Sequence, residues 1–445
     1  MGRDGRRILL LLNSNLKTFQ PKRMHYAICT YGTRGDVQPY IALALGLMHR
    51  GNQVTVLAPE NFKDFVEGYS VHFYPLHGDA EAILQSEEGQ RVLKTGNIVA
   101  ILKYMQEAGR QIQPIVNQDL LTGCAEADVL ISSVLAVIWV RTIAEKLGKK
   151  WGLVQLNPPS APTKEFPFAG LAFINWGPYN RFTYWLLGKL YWQFNKDELN
   201  KFRASLDLTA FTLADMKNDA TANHLDLYAF SPQLIRQPAD WNSNTRITGF
   251  LTLPPKIREA NKAETLPTGL VEWLQHPDKP VYIGFGSMPL PDVDKITAIL
   301  QEINQATNLR VLFCKGWSQI PKLQSHPNLF VVDKINHQWL LPQCKAAVIH
   351  GGAGTLAAVL KAKIPVIISS VFGDQVWWGD IIRKKKLGLH IPFKQLTVAK
   401  LIKAIKLSQS EEIKRNAAET GEAINQEDGL KTALDAIESY FANPL

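Results

Sequence analysis

Cysteine is scarce in this sequence: four residues in 445, at positions 29, 124, 314 and 344, with no two at CxxC spacing. That scatter speaks against a zinc ribbon or a redox dithiol. The expectation is four small, buried, apolar side chains in a reducing compartment. Long apolar runs are also missing. The best, from Val129 to Val140, holds 12 residues, includes Ser132 and Ser133, and lies between Asp128 and Arg141. A membrane-spanning helix needs about 18 or more apolar residues, so this run reads as a buried strand entering a helix. Residues 8–12 (ILLLL) follow Arg3, Arg6 and Arg7 in the manner of a signal peptide. Five apolar residues are too few for its hydrophobic segment, and no small-residue cleavage site follows. The expected location is the cytoplasm, with peripheral contact at a membrane left open. Low-complexity tracts and short repeats are absent too.

The formal charge is +9, but residues 1–23 carry six Lys or Arg against Asp4 alone. That is a local balance of +5, which leaves +4 for the rest. Nucleic-acid binding wants a dense cationic face, so no nucleic-acid partner is expected. With 46% hydrophobic and 20% charged residues, the chain is neither disordered, collagen-like nor coiled coil. Its length suggests two or three domains with cores that need no metal or disulfide.

The pattern along the chain is α/β. Residues 1–23 read as an N-terminal extension, expected to be disordered. A strand over 25–31 leads into Gly32-Thr33-Arg34-Gly35-Asp36, and Pro39 suits the first turn of a helix that stops at Gly51. Strand-like segments follow at 53–58, 71–76, 127–133 and 151–157, with helix-like segments between several of them. Residues 158–222 are the most aromatic part of the chain, and short strands return at 226–232 and 246–250. A polar, proline-containing stretch within 253–278 reads as an interdomain linker. A second series has strands at 280–287, 310–316, 328–335, 346–352 and 364–370. The expected organisation is an N-terminal domain over 24–252 and a C-terminal domain over 279–410, with a helical tail over 411–445 that packs back on the N-terminal domain. Alternating strands and helices imply parallel sheets covered on both faces.

The sharpest motif is His350-Gly351-Gly352-Ala353-Gly354-Thr355, after an apolar strand and opening a helix. Glycines let the backbone approach a ligand, and the free N–H groups and dipole of a helix start suit a diphosphate. His350 and Thr355 add side-chain donors. A tight turn with a packed histidine would give the same pattern. Asp374 and Gln375 follow strand 364–370 and should share the carboxyl-end rim, where ligands of open α/β sheets bind. They could meet sugar hydroxyls, and Asp374 could equally cap its helix.

His350–Thr355, Pro365 and Phe372-Gly373-Asp374-Gln375 resemble the donor signature of nucleotide-sugar glycosyltransferases with the GT-B fold, two Rossmann-like domains facing each other across a cleft. The resemblance is closest to the sterol glucosyltransferase and glycopeptide or macrolide glycosyltransferase branch. There a Gly-Thr/Ser-Arg-Gly-Asp-x-x-Pro motif stands near the N-terminus, as Gly32 to Pro39 does here. His337-x-Trp339-Leu340-x-Pro342, Gly284-Phe285-Gly286-Ser287 and Trp378 also resemble that branch. The match covers roughly residues 24–410. It departs where the sterol branch usually has a second histidine, here Ile349. By spacing, the base-handling Trp and Gln of the plant small-molecule enzymes fall on Val332 and Ile335, and their ribose-gripping Glu on Ala358. The donor base, uridine or thymidine, stays open, and Gln375 resembles glucose-using relatives.

The resemblance implies an inverting hexose transfer, with glucose favoured, from a UDP-sugar to a lipophilic hydroxyl, with no metal required. His350 and the amides of 352–355 would stabilise the leaving diphosphate. Asp36 would serve as base, or instead cap its helix and pair with Arg34. Gly32, Thr33, Arg34, Gly35, Gly286, Ser287 and Val332 complete the donor contacts. Trp176, Tyr184, Trp185 and Trp378 are the candidates for the acceptor, with helix packing the other reading of the aromatics. A same-fold nucleotide-sugar epimerase, a lipid-intermediate N-acetylglucosamine transferase, and a non-catalytic nucleotide-sugar or lipid-binding protein are the competing readings. A dinucleotide dehydrogenase is disfavoured, because Gly32–Val37 lacks the G-x-G-x-x-G turn.

Overall fold

The computed structural model describes residues 23–442, apart from 96–97, 173, 216–223, 255–256, 258–265, 287–289, 317–319, 321–322, 324–325 and 372. The expected disorder of the N-terminal extension therefore lies, but for Arg23, outside the described residues.

The chain divides into two compact units. One groups residues up to Ala80 with Gln106–Ala260 and Asp428–Leu445, and the other groups Glu81–Met105 with Asn261–Glu427. The first holds a seven-stranded sheet of β1 (His25–Cys29), β2 (Gln53–Pro59), β3 (His72–Leu76), β4 (Val129–Ser132), β5 (Lys150–Gln155), β6 (Leu225–Tyr228) and β7 (Thr245–Ile247), in spatial order 3-2-1-4-5-6-7. The second holds six strands, β8 (Val281–Gly284), β9 (Val311–Cys314), β10 (Leu329–Val332), β11 (Ala346–Ile349), β12 (Val366–Ile368) and β13 (Gly388–His390), in order 10-9-8-11-12-13. Every strand pair in both sheets is parallel. β4, β8, β9 and β11 are buried along their whole length. Helices cover both faces of such a sheet, so these strands read as unbroken apolar runs rather than alternating ones.

The helices used below are α1 (Arg34–His49), α2 (Ile98–Cys124), α3 (Val137–Leu147), α4 (Gly177–Ser205), α5 (Val293–Ala306), α6 (Ala353–Lys361), α7 (Asp374–Lys384), α8 (Val398–Ser408), α9 (Glu411–Asn425) and α10 (Gly429–Ala442). α1 starts at Arg34, not at Pro39. A capping box between Thr33 and Asp36 fixes that start, and Pro39 lies inside the helix, where it removes only the N–H that would have bonded Gly35.

Two boundaries differ from the sequence reading. Residues 81–105 do not join the first unit's core. Leu84, Leu93 and Ile101 form a small apolar cluster of their own. The tail splits at 427/428. α9 lies against α6 so closely that a Cβ on Gly421 would stand 2.3 Å from the carbonyl oxygen of Leu360. α10 instead packs on α1, where Arg50 pairs with Glu438 at 2.7 Å and Asp435 at 2.6 Å. The four cysteines are buried thiols, and Cys29 and Cys124 share a hydrogen bond of 3.5 Å.

Candidate active site

In each sheet the winding reverses once, between β1 and β4 in the first unit and between β8 and β11 in the second. At such a reversal the loops leaving the carboxyl ends of the two strands part and leave a crevice for a ligand. Both motifs that the sequence advertises fall at these points. Gly32–Asp36 leaves β1, and His350–Thr355 leaves β11.

In the second unit, His350 follows β11 directly and is 8% exposed. Its ring is held between two glycines. A Cβ on Gly286, two residues past β8, would lie 3.1 Å from Cε1, and one on Gly352 would lie 2.4 Å from Nε2. Gly351 has φ +103° and backs onto Ile368 and Gln375, so a side chain there would be both strained and crowded. Burial lowers the His350 pKa to about 4, so at neutral pH the imidazole is uncharged, with one N–H donor. Its Nδ1 meets no hydrogen-bonding group among the described residues.

α6 begins immediately after, with Gly352 as its cap residue and no side-chain cap. The amides of Ala353, Gly354 and Thr355 therefore have no acceptor within their own helix, and the positive end of the dipole coincides with them. Gly354 is exposed, with open space where its Cβ would be. A neutral histidine donor beside uncapped helix amides can bind a diphosphate and stabilise charge that builds on it.

β12 ends at the same rim. Asp374 is the first residue of α7 and is partly exposed, while Gly373, not Asp374, is the cap residue. Gln375 is 3% exposed, and its Oε1 accepts the Val371 N–H at 2.8 Å. Its first task is to brace the loop carrying Asp374. Gly286 thus shares this rim with His350–Thr355, Asp374 and Gln375, whereas Ser287 and Phe372 lie outside the described residues.

Val332 must be corrected. It ends β10 with a buried side chain, and its carbonyl accepts the Lys315 N–H at 2.9 Å, so the side chain offers a ligand no apolar surface. Trp378 must be corrected as well. Its side chain is fully buried beside Trp377, because its helical phase turns it inward from the rim.

Sequence reasoning missed Ser369 and Ser370, which follow β12. Ser369 Oγ is buried without a partner among the described residues, and its N–H bonds Ile349, next to His350. Ser370 Oγ is 2.8 Å from His390 Nε2. The signal was present: two hydroxyls closing an apolar strand just before Gly373-Asp374-Gln375.

In the first unit, Asp36 is partly buried at the third position of α1. Its Oδ2 accepts the Thr33 N–H at 2.8 Å and the Thr33 hydroxyl at 3.0 Å. Gly32, with φ +125°, makes room for it, since a Cβ there would stand 2.5 Å from Oδ2. Burial raises the Asp36 pKa, and the two Thr33 bonds oppose the rise. The Arg34 guanidinium lies over the Phe65 ring, 4.4 Å from its centre. Gly35 is exposed. Just past β4, Ser133 Oγ is buried with no partner among the described residues, and Ser133 N–H donates to the Cys29 carbonyl. Of the acceptor candidates here, Trp176 and Trp185 are exposed. Tyr184 is not: it is buried edge-on against Phe168, so it serves packing.

Residues 26–164 match the glycosyltransferase family 28 N-terminal domain, and residues 311–427 match the erythromycin biosynthesis protein CIII-like C-terminal domain. Two sterol 3-beta-glucosyltransferases of Arabidopsis thaliana are 34% and 32% identical over 94% of this chain, which spans 66% and 68% of their lengths. The chain belongs to the glycosyltransferase family of the sterol 3-beta-glucosyltransferases. A member from Cryptococcus neoformans is 31% identical over 94% of the chain, which spans 27% of that protein. The fold agrees with solved glycosyltransferases. The kitacinnamycin enzyme superposes with a TM-score of 0.69 at 15% identity, covering 94% of this chain and 99% of its own. The calicheamicin glycosyltransferase gives 0.66 at 14%, covering 95% and 99%. The GT-B resemblance of the sequence thus holds for family and fold, with two Rossmann-like α/β domains.

Proposed function

We propose that this glycosyltransferase moves glucose from a UDP-sugar to the hydroxyl of a sterol or similar lipophilic alcohol, with inversion at the anomeric carbon and no metal requirement. The observation that carries the reading is the buried, neutral His350 beside the uncapped start of α6 at the reversal point of the second sheet. The names of the sterol 3-beta-glucosyltransferase relatives support the sugar and acceptor class. A structural neighbour with a TM-score of 0.59 at 15% identity was solved with thymidine diphosphate, which supports a nucleoside diphosphate as the donor handle.

In the proposed step the acceptor oxygen attacks the anomeric carbon. The bond from that carbon to the diphosphate oxygen breaks, and its electron pair stays with the diphosphate. His350 and the amides of Ala353, Gly354 and Thr355 meet the growing negative charge. Asp36 takes the acceptor proton late in the step, once the hydroxyl has become acidic by bonding to carbon. Asp374, held by Gln375, meets sugar hydroxyls. Trp176 and Trp185 supply apolar surface for the acceptor.

The test is release of UDP or TDP from a panel of nucleotide sugars against sterols and other lipophilic alcohols. Product NMR from an α-linked donor should show a β-linked glucoside. An α-linked product would sink single displacement. Nucleotide binding without release against any acceptor would favour a binding protein instead.

A further inference from the structure

α7 packs across β12 and β13, and a row of polar side chains joins the three. His390 closes β13 and is the register partner of Ile368, the last residue of β12. Its Nε2 stands 2.8 Å from Ser370 Oγ, and its Nδ1 stands 3.5 Å from Asp380 Oδ1 on α7. The carboxylate favours the tautomer with the proton on Nδ1, which leaves Nε2 to accept the Ser370 hydroxyl. Burial lowers the His390 pKa against the pull of Asp380, so at neutral pH the ring is uncharged and able to accept. Hydroxyl, imidazole and carboxylate stand in the order of a nucleophilic triad. Ser370 is 3% exposed, however, so the order braces the structure rather than attacking a substrate.

The His390 ring also sets how close α7 can lie. Gly379 is buried in α7, five residues after Asp374, and a Cβ there would stand 2.5 Å from Cγ and Cδ2 of the ring. The helix rests on the imidazole at that point. The strand ends are tied as well. Ile391 N–H donates to the Ile368 carbonyl at 2.9 Å, and Phe393 N–H donates to the Ser370 carbonyl at 2.8 Å. Gln375 on α7 accepts the Val371 N–H at 2.8 Å. His390 therefore touches both supports of the turn that carries Asp374: Ser370 on the strand side and Gly379 on the helix side.

We propose that His390 is a positioning residue for the donor sugar: by holding Ser370 and carrying Gly379 it fixes the seat of α7, and with it the place where Asp374 presents its carboxylate. This rests on the proposed reading of Asp374 as a sugar contact. A small misplacement of such a group is costly to binding and turnover. The diphosphate is held by a different turn, His350 to Thr355, so affinity for UDP alone should not depend on His390.

Calorimetric titration of the full chain with UDP and with UDP-glucose tests this. Ser370→Ala and His390→Phe should each lower UDP-glucose affinity by ~5-fold or more, the worth of one buried hydrogen bond, with UDP affinity held within about 2-fold. His390→Gln, whose amide can meet the Ser370 hydroxyl, should restore the wild-type ratio of the two affinities. Ser408→Ala removes a buried hydroxyl bond of 2.7 Å at the end of α8, beside Gln409, which bonds Lys345 ahead of β11. It should lower the melting temperature and leave that ratio unchanged. Ser370→Ala, the milder change, carries the test if His390→Phe does not fold. An unchanged ratio in the folded variants overturns the inference. So does a parallel fall in UDP and UDP-glucose affinity, which would make His390 a structural group only. If the wild type binds neither compound, the transferase reading itself fails and takes this inference with it.

Discussion

Gly352 and His350 compete for one volume. A Cβ on Gly352 would stand 2.4 Å from Nε2 of the imidazole, while Gly286 closes the other side of the ring. Gly352→Ala therefore cannot be absorbed without moving His350. The strain should cost about 1–3 kcal/mol of stability, as overpacking does. The displaced donor should weaken UDP binding by ~10-fold or more, because the site loses a contact it was shaped to make. Calorimetric titration with UDP checks this; wild-type affinity in Gly352→Ala would show that His350 does not touch the diphosphate.

The buried imidazole also sets a pH dependence of stability. His350 titrates near 4 in the fold and near 6.5 in the unfolded chain. Between those values the unfolded state holds a proton that the folded state refuses, so unfolding gains as pH falls. Stability that is whole above about pH 6.5 should decline toward pH 4 by about 3 kcal/mol from this residue alone. Urea melts of the wild type and His350→Gln across that range should converge as pH drops. Parallel curves would show that the imidazole is hydrated rather than dry.

The fold was legible because both sheets are parallel and buried on both faces. Their strands are short apolar runs set off by helices, which is why the Rossmann-like pattern and the strand ends bearing His350 and Asp374 could be placed without coordinates. Less legible were features that depend on what packs against what. The start of α1 was read at Pro39 because proline is a strong signal, while the weaker Thr33–Asp36 box decides the matter. Spacing places Val332 at a base-handling position of the plant enzymes, and spacing does not reveal that its side chain is buried at the end of β10. Residues 81–105 look like any amphipathic connection, and nothing local says that they form a separate apolar cluster.

Tryptophans near the motifs should separate by burial. Trp378 is wholly enclosed, so Trp378→Ala should cost about 3–5 kcal/mol as a core cavity and lower the amount of folded protein. Trp176→Ala, at an exposed site, should change stability by less than about 0.5 kcal/mol. Under the proposed function it should raise the acceptor KM several-fold, leaving the donor KM unchanged. Thermal melts and two-substrate kinetics distinguish these outcomes. A stable Trp378→Ala variant with an altered acceptor KM would restore Trp378 to the acceptor surface.

Asp36→Asn isolates basicity from structure. The amide oxygen can still accept both Thr33 bonds that start α1, and the substitution removes a charge that burial disfavours. The raised pKa means that ionising Asp36 costs stability as pH rises past the unfolded value near 4, so the variant should melt no lower than the wild type at neutral pH. Turnover should fall by at least ~100-fold with UDP binding intact. In the wild type, kcat/KM should drop on the acid side as Asp36 is protonated, with the midpoint above the usual carboxylate value of about 4 because burial favours the neutral acid. Asp36→Asn should lack that acid limb. If the variant turns over normally, or keeps the same limb, the proton goes elsewhere and Asp36 is left with capping α1.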